Sequence, residues 1–199
     1  LREKYKSKLN NQSQEYEKYL ETINRQIKDI EKLVNEFSNF ARMPRPILKK
    51  INIVNVIKRS LDFIKMTSKS SINLITKDKE IFINGDEDQL NRVFINLIKN
   101  SQEAIDEISK KDTKFKGNID IEIDNNNDYI VCRLTDNGSG ITDPKKAMTP
   151  YFTTKKTGTG LGLPIVTKII NEHLGDFSIR NKKKGKGTII SISLPKLNA

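Results

Sequence analysis

The sequence has a single cysteine, a single histidine, no apolar run of membrane-spanning length and no recognisable signal peptide. One cysteine excludes a disulfide framework and a cysteine-based zinc site, and it fits a reducing compartment. Cys132 lies in the strand-like run "DYIVCRLTD", which predicts a buried, inert thiol. These absences predict a soluble stretch, one that can have been cut from a longer protein. Acidic residues are also under-represented: 36 Lys+Arg against 25 Asp+Glu give a net charge of +11. Such a surface attracts anions, whether nucleotide, nucleic acid, acidic lipid or an acidic partner. The excess is scattered, except for "NKKKGKG" at 181–187, and no aromatic residues interleave with it. That pattern predicts a solvated hairpin tip rather than a nucleic-acid patch.

The 199 residues, 35% of them hydrophobic, suffice for one compact domain and an additional element. Two regimes are visible. Tyr16, Leu20, Ile23, Ile27, Ile30, Val34, Phe37 and Ala41 recur in steps of four and three, with Glu17, Glu21, Lys28 and Lys32 between them. This heptad seam predicts a self-associating helix, favoured by its regularity over a single amphipathic helix packed on its own domain. Leu1–Leu9 resembles the end of an earlier helix, and "NNQSQ" a polar turn, so together they predict a helical hairpin lacking most of its first arm. "RMPRP" ends the helix, because Pro44 and Pro46 cannot continue it. The predicted boundary divides residues 1–45 from 46–199.

Beyond Pro46 the predicted elements alternate. A helix is expected over Asn55–Met66, and two short strands, Ile72–Thr76 and Ile81–Ile83, around "KDKE". A long helix follows from an Asp86 cap to about Ile108, with Leu90, Val93, Phe94, Leu97, Ile98, Ala104, Ile105 and Ile108 on one face. Strands are predicted at Ile119–Ile123 and Tyr129–Leu134, then a Gly-, Pro- and Thr-rich loop from Asp136 to Gly160. The chain ends with a helix to His173 and two strands, Phe177–Arg180 and Thr188–Leu194. Helices on one face of a shared sheet make an α+β, two-layer sandwich.

The loop raises the question of chemistry. In "TTKKTGTGLGLPIV" Gly158, Gly160 and Gly162 directly precede an apolar helix. Glycines let backbone N–H groups approach an anion, and a helix N-terminus adds unpaired donors and positive dipole, to which Lys155 and Lys156 add charge. The same stretch also reads as a flexible surface loop. It is neither a P-loop, since no Gly-Lys-Ser/Thr follows, nor a Rossmann turn, since no strand immediately precedes it. Two further features bear on it. In "TDNGSGI" at a strand end, Asp136 can accept from an amino group such as that of adenine, and Gly138 and Gly140 let the backbone pass a flat ring; an ordinary Asp-Asn-Gly turn has the same look. In "FINLIKNSQEAI", Asn96 and Asn100 project from one helix face four residues apart. An amide oxygen suits Mg²⁺ otherwise held by phosphates and water.

The helix asparagines, "DNGSG", "YFTTK" and "GTGLGL", in that order, resemble the N, G1, F and G2 boxes of the Bergerat ATP-binding fold. That fold is shared by histidine kinases, gyrase-type topoisomerases, Hsp90 and mismatch-repair ATPases. The resemblance covers roughly residues 50–196 and implies ATP and Mg²⁺ as cofactors. It implies that Asp136 binds the adenine amino group, that Asn100 holds Mg²⁺ beside Asn96, and that Thr188 of "GKGTIISISLP" lies near the adenine. Gly138, Gly140 and Ile141 would line the base. Gly158, Gly160 and Gly162 would serve the phosphates, and Thr159, Leu161 and Leu163 among them would also belong to the ATP-binding set. Phe152, Thr153, Thr154 and Lys155 would belong to a lid running from Asp143 to Thr159.

Hydrolytic members of the fold carry a glutamate one turn before the metal-binding asparagine; here that position is Asn96, which cannot act as a general base. This resembles the histidine-kinase branch, and "NEFSNFARMPRP" closing a heptad helix is similar to the second dimerisation helix of NtrY-type sensors. The resemblance implies a kinase fragment whose acceptor histidine lies upstream, followed by transfer to the receiver domain of a response regulator. It also implies a homodimer formed through the hairpin, no nucleic-acid partner, a cytoplasmic location and membrane attachment only through upstream segments. His173, in "NEHLGD", matches a structural residue, and Glu103 occupies a position that some kinases give to a basic residue. An ATP-regulated interaction module, an ATPase without transfer to histidine, and a serine kinase of the anti-sigma type are the alternatives. The heptad helix argues against the last.

Overall fold

A computed structural model describes residues 13–197, apart from 66, 67, 69, 127, 156 and 157. These residues form two compact units, one of the chain up to Met43 with 155–159, the other of Pro44–Thr154 with the chain from Gly160 onward. The first is built on helix α1, Ser13–Ala41. α1 starts inside the polar stretch expected as a turn, and the expected helix end at Leu1–Leu9 lies outside the described residues. The heptad seam is left in solvent: Ile23, Ile27, Ile30, Val34 and Phe37 are all exposed. Loop residue Thr159 bonds through its hydroxyl to the Glu36 carboxylate of α1.

The second unit opens with strand β1, Lys49–Asn52, and helix α2, Ile53–Lys65. β1 was not expected, because "KKIN" has no alternating pattern. It forms by antiparallel pairing with β3, Phe82–Gly85. Asn52 then starts α2 two residues early, its Oδ1 accepting the N–H of Val54 (3.1 Å) and of Ile81 (3.2 Å). Met66, the expected helix end, is outside the described residues. The two strands around "KDKE" occur but belong to different sheets. β2, Ser71–Thr76, runs parallel to β4, Asn118–Asn125.

Helix α3, Glu87–Ser109, is capped by Asp86, whose side chain accepts the N–H groups of Asp88 and Gln89, both at 3.1 Å, and of Ile47 at 2.9 Å. Burial alone would raise the Asp86 carboxyl; these three N–H bonds instead hold it below the ordinary 3.8. After β4 come β5, Tyr129–Asp136, a four-residue helix α4, Pro144–Ala147, and α5, Gly162–Glu172. Strands β6, Asp176–Asn181, and β7, Thr188–Pro195, complete a five-stranded sheet in the order β2-β4-β5-β7-β6. The loop from 136 to 160 was expected without regular structure, yet Asp143 followed by Pro144 is an N-cap and first-turn proline, enough for one turn.

Alternation sends Ile119, Ile121 and Ile123, Ile130, Cys132 and Leu134, and Ile190, Ile192 and Leu194 to one face of the sheet. Against them lie the buried stripes of α2, α3 and α5, so the architecture is the expected two-layer sandwich. Among the described residues no helix is long and apolar enough to cross a membrane.

Cys132 is fully enclosed in this layer, and burial pushes its thiol from 9.0 up to about 12. A thiol reagent at pH 8 should therefore leave the folded chain unlabelled, with labelling appearing along the urea unfolding curve; stoichiometric labelling before unfolding would contradict the packing described.

Candidate functional site

The strand parity that buries Ile130, Cys132 and Leu134 also carries the last residue of β5 inward, and that residue is an aspartate. Asp136 is 2% exposed. A buried carboxylate needs donors, and three are supplied. Its Oδ1 accepts the N–H of Gly138 (2.9 Å) and of Thr188 (3.1 Å), while Oδ2 accepts the Ser101 hydroxyl (3.1 Å). Thr188 and Ser101 are themselves buried. Two glycines make this close approach possible. A Cβ on Gly138 would lie 2.7 Å from that of Ala104, and one on Gly187, whose φ is +122°, would lie 2.1 Å from the Asp136 carbonyl oxygen.

The turn after Asp136 is fastened on three sides. Asn137 donates to the Lys116 carbonyl and accepts from the Asn118 N–H, both at 2.8 Å. Ser139 donates its N–H to the Ala104 carbonyl (3.0 Å) and its hydroxyl to Glu107 (2.8 Å). The Asn181 amide grips Ile141 twice, donating to its carbonyl at 2.7 Å and accepting its N–H at 2.8 Å. Gly140 and Ile141 are thus tied to the β6–β7 hairpin, and the aspartate to α3.

A second cluster stands further up α3. Asn96 and Asn100 are both half-buried, and a Cβ built on Gly162 would come 3.8 Å from Asn96 Oδ1 and 3.8 Å from Asn100 Nδ2. The first residue of α5 therefore faces both amides. Leu161, at the N-cap of α5, has no side-chain oxygen with which to cap it. Gly162 and Leu163 carry first-turn N–H groups, and Pro164 has none. Gly160 (φ +69°) leaves no room for a Cβ, which would fall 2.5 Å from the Tyr151 carbonyl carbon, and its own carbonyl accepts the Tyr151 N–H at 3.1 Å.

Ser101 follows Asn100 directly, so α3 joins the two clusters. Asn96 and Ser101 are separated by about 7.5 Å along the helix axis at 1.5 Å per residue. Phe152 is half-buried, and Thr153 and Thr154 are exposed. Lys155, Gly158 and Thr159 fall in the unit of α1, where the Gly158 N–H donates to the Lys155 carbonyl at 3.2 Å. His173 is 3% exposed and fully engaged: Nε2 accepts the Asp86 N–H (2.9 Å) and Nδ1 lies 2.8 Å from the Ile169 carbonyl, which sets a neutral, Nδ1-protonated ring. It is a structural residue.

Ser101, Asn137 and Asn181 were not anticipated. Ser101 had one available signal, since it occupies an i+4 position in the apolar stripe Leu97–Ser101–Ile105, where a hydroxyl needs a buried partner. Asn181 had none, sitting beside a run of lysines.

Among the described residues no three His, Cys, Asp or Glu side chains gather as a metal site. A cation here would rest on the Asn100 amide oxygen and on ligand oxygens and water, a donor set that suits Mg²⁺.

Several comparisons with known proteins agree. Residues 85–198 match the model of the "Histidine kinase-, DNA gyrase B-, and HSP90-like ATPase" family. A putative sensor histidine kinase of NtrY-like type from Rickettsia conorii is 36% identical over 181 residues, 89% of this chain and 29% of the relative. The nitrogen regulation protein NtrY of Azorhizobium caulinodans is 28% identical over 98% of this chain and 25% of its own. The chain thus spans under a third of these relatives' length. Among solved structures, the nucleotide-free catalytic domain of histidine kinase ThkA aligns with TM-score 0.64 at 26% identity, covering 75% of this chain and 95% of that one. Full-length ShkA in complex with AMPPNP shares the fold over 98% of this chain and 41% of its own, with TM-score 0.70 and 18% identity.

Gly162→Ala separates fold from site. Its methyl would make only ordinary contacts at 3.8 Å and favours a helix, so the melting temperature should hold or rise slightly. The methyl would occupy the space between α5 and the two amides, so calorimetric titration should show Mg-ATP binding weakened at least about tenfold, or 1.4 kcal/mol. Unchanged affinity would mean that nothing is bound at that space.

Proposed function

The chain belongs to the family of histidine kinase-, DNA gyrase B- and HSP90-like ATPases, and on that premise we propose that residues 46–199 are the ATP-binding catalytic domain of a two-component sensor histidine kinase. Residues 1–45 contribute the second arm of its dimerisation hairpin, a role supported by the exposed apolar seam of α1. The γ-phosphoryl group passes to a histidine outside this chain and then to an aspartate of a response-regulator receiver domain. The chain works on the cytoplasmic side of a membrane-bound sensor.

The observation that carries the reading is the buried Asp136 carboxylate, held from three sides, whose Oδ2 takes one of these bonds, from Ser101, and has a second lone pair with which to accept another. It accepts the adenine amino group. Gly138 and Gly140 let the backbone approach the ring, Ile141 covers it, and Thr188 stands beside Asp136. The N–H groups of Gly162 and Leu163 at the start of α5 bind phosphate oxygens, with Leu161 packing that turn into the core. Gly158, Thr159, Gly160 and Lys155 add donors and charge, and Phe152, Thr153 and Thr154 form the base of the lid. Asn100 is the protein ligand to Mg²⁺, which when bound neutralises phosphate charge.

Asn96 decides between kinase and hydrolase. Its amide cannot take a proton from water, and general-base help is typically worth about 10²–10⁴-fold. The bound nucleotide is thereby preserved for a histidine acceptor. With γ-labelled ATP, a longer form of the protein that includes the segment preceding Leu1 should acquire acid-labile label on a histidine of that segment. The chain itself should acquire none and release phosphate far below about 1 s⁻¹. Sustained release near that rate, abolished by Asn100→Ala, would replace the kinase with an ATPase; label lost in His173→Gln would overturn the structural role of His173.

A further inference from the structure

The lysine cluster at 182–186 is absorbed by none of the roles above, and its position in the fold is specific. The β6–β7 hairpin turns at that cluster, closed by the Lys182 N–H donating to the Gly187 carbonyl at 3.0 Å. Both feet of the hairpin stand on the turn that contains Asp136. From one foot, the Thr188 N–H bonds the Asp136 carboxylate, with Gly187 packed on the Asp136 backbone; from the other, Asn181 holds Ile141. Lys182, Lys183, Lys184 and Lys186 are therefore carried at the rim of the same end of the sheet, and Lys183, Lys184 and Lys186 are exposed there. At about 3.8 Å between successive Cα atoms, Lys184 lies within about 11 Å of Gly187 along the chain.

The turn between α3 and β4 ends at the same edge, joined to it by the Asn137–Lys116 bond, and brings exposed Lys110, Lys111, Lys114 and Lys116. The acidic groups of that neighbourhood are Asp106, Glu107 and Asp112, with Asp143 on the loop just after Ile141; Glu107 accepts from Ser139. The opposite end of the sheet carries Asp78, Glu80, Asp124, Asp128 and Asp176 together with Lys77, Lys79 and Lys196. Eight lysines thus stand at the Asp136 end of the sheet, more than the acidic groups beside them.

Resting on the nucleotide reading above, we infer that the 182–186 lysine tip is a capture element for the anionic nucleotide. It steers the triphosphate to the pocket from solution and makes no bond to it once bound. Its contribution lies in the association rate, because clustered charge at a cleft mouth raises on-rates by about 10–10³-fold and salt removes the effect.

The test is stopped-flow association of ATP, and of uncharged adenosine as the control, with the parent chain and with the Lys182→Gln, Lys183→Gln, Lys184→Gln, Lys186→Gln combination. At about 10 mM ionic strength, where screening extends to about 30 Å, the variant should associate with ATP about tenfold more slowly. The two chains should converge near 1 M salt, dissociate at the same rate, and bind adenosine identically. The parent's own ATP on-rate should fall with salt while its adenosine on-rate does not; that comparison needs no variant. Superimposed ATP on-rates at every salt concentration, or an altered dissociation rate with an unaltered on-rate, would overturn the capture role while leaving nucleotide binding intact. Failure of the parent to bind either ligand would instead overturn the nucleotide reading itself.

Discussion

A carboxylate that is 2% exposed has to be held by donors or be neutralised, and the bonds that hold Asp136 organise the catalytic sandwich. Each of its three partners comes from a different element: Gly138 from the turn after β5, Thr188 from the start of β7, and Ser101 from the middle of α3. One side chain therefore ties the sheet to the helical layer and fixes the start of the loop. Hydrogen bonds to a charged group are worth about 1.5–3 kcal/mol each, so the turn geometry is set firmly.

Helix α3 transmits that order to the second cluster. Its apolar stripe is buried against the sheet and α5, so its rotation is fixed by packing rather than by the polar residues it carries. With the rotation fixed, Ser101 meets Asp136 and, one residue earlier, Asn100 looks toward Gly162. His173 adds a constraint at the far end, since its ring joins the end of α5 to the Asp86 N-cap of α3. The two clusters are thus held by one helix whose own start and partner helix are locked together.

Much of this was legible in the sequence for a chemical reason. Asp-Asn-Gly-Ser-Gly, paired asparagines on one helix face and glycines before an apolar helix are each costly choices for packing, and their order on the chain is more specific than any of them. The long helices and the alternating strands followed from apolar period. What could not be read depended on tertiary partners. β1 has no pattern of its own and exists because β3 pairs with it, and β2 and β3 separate because β2 finds β4. Ser101 and Asn181 are ordinary residues until Asp136 and Ile141 are brought beside them.

The central claim is that the Asp136 carboxylate selects its ligand by accepting a hydrogen bond from the adenine amino group. Inosine triphosphate tests it without altering the protein, because it presents a carbonyl oxygen where ATP presents the amino donor, with the phosphates unchanged. Sites built to bond a donor reject a ligand lacking it by about 10⁴–10⁵-fold at the upper end. Competition titration of the unmodified chain should find ATP preferred by at least about 100-fold, or about 2.7 kcal/mol. Equal affinity for the two would contradict the account, since the phosphates would then be all that is recognised.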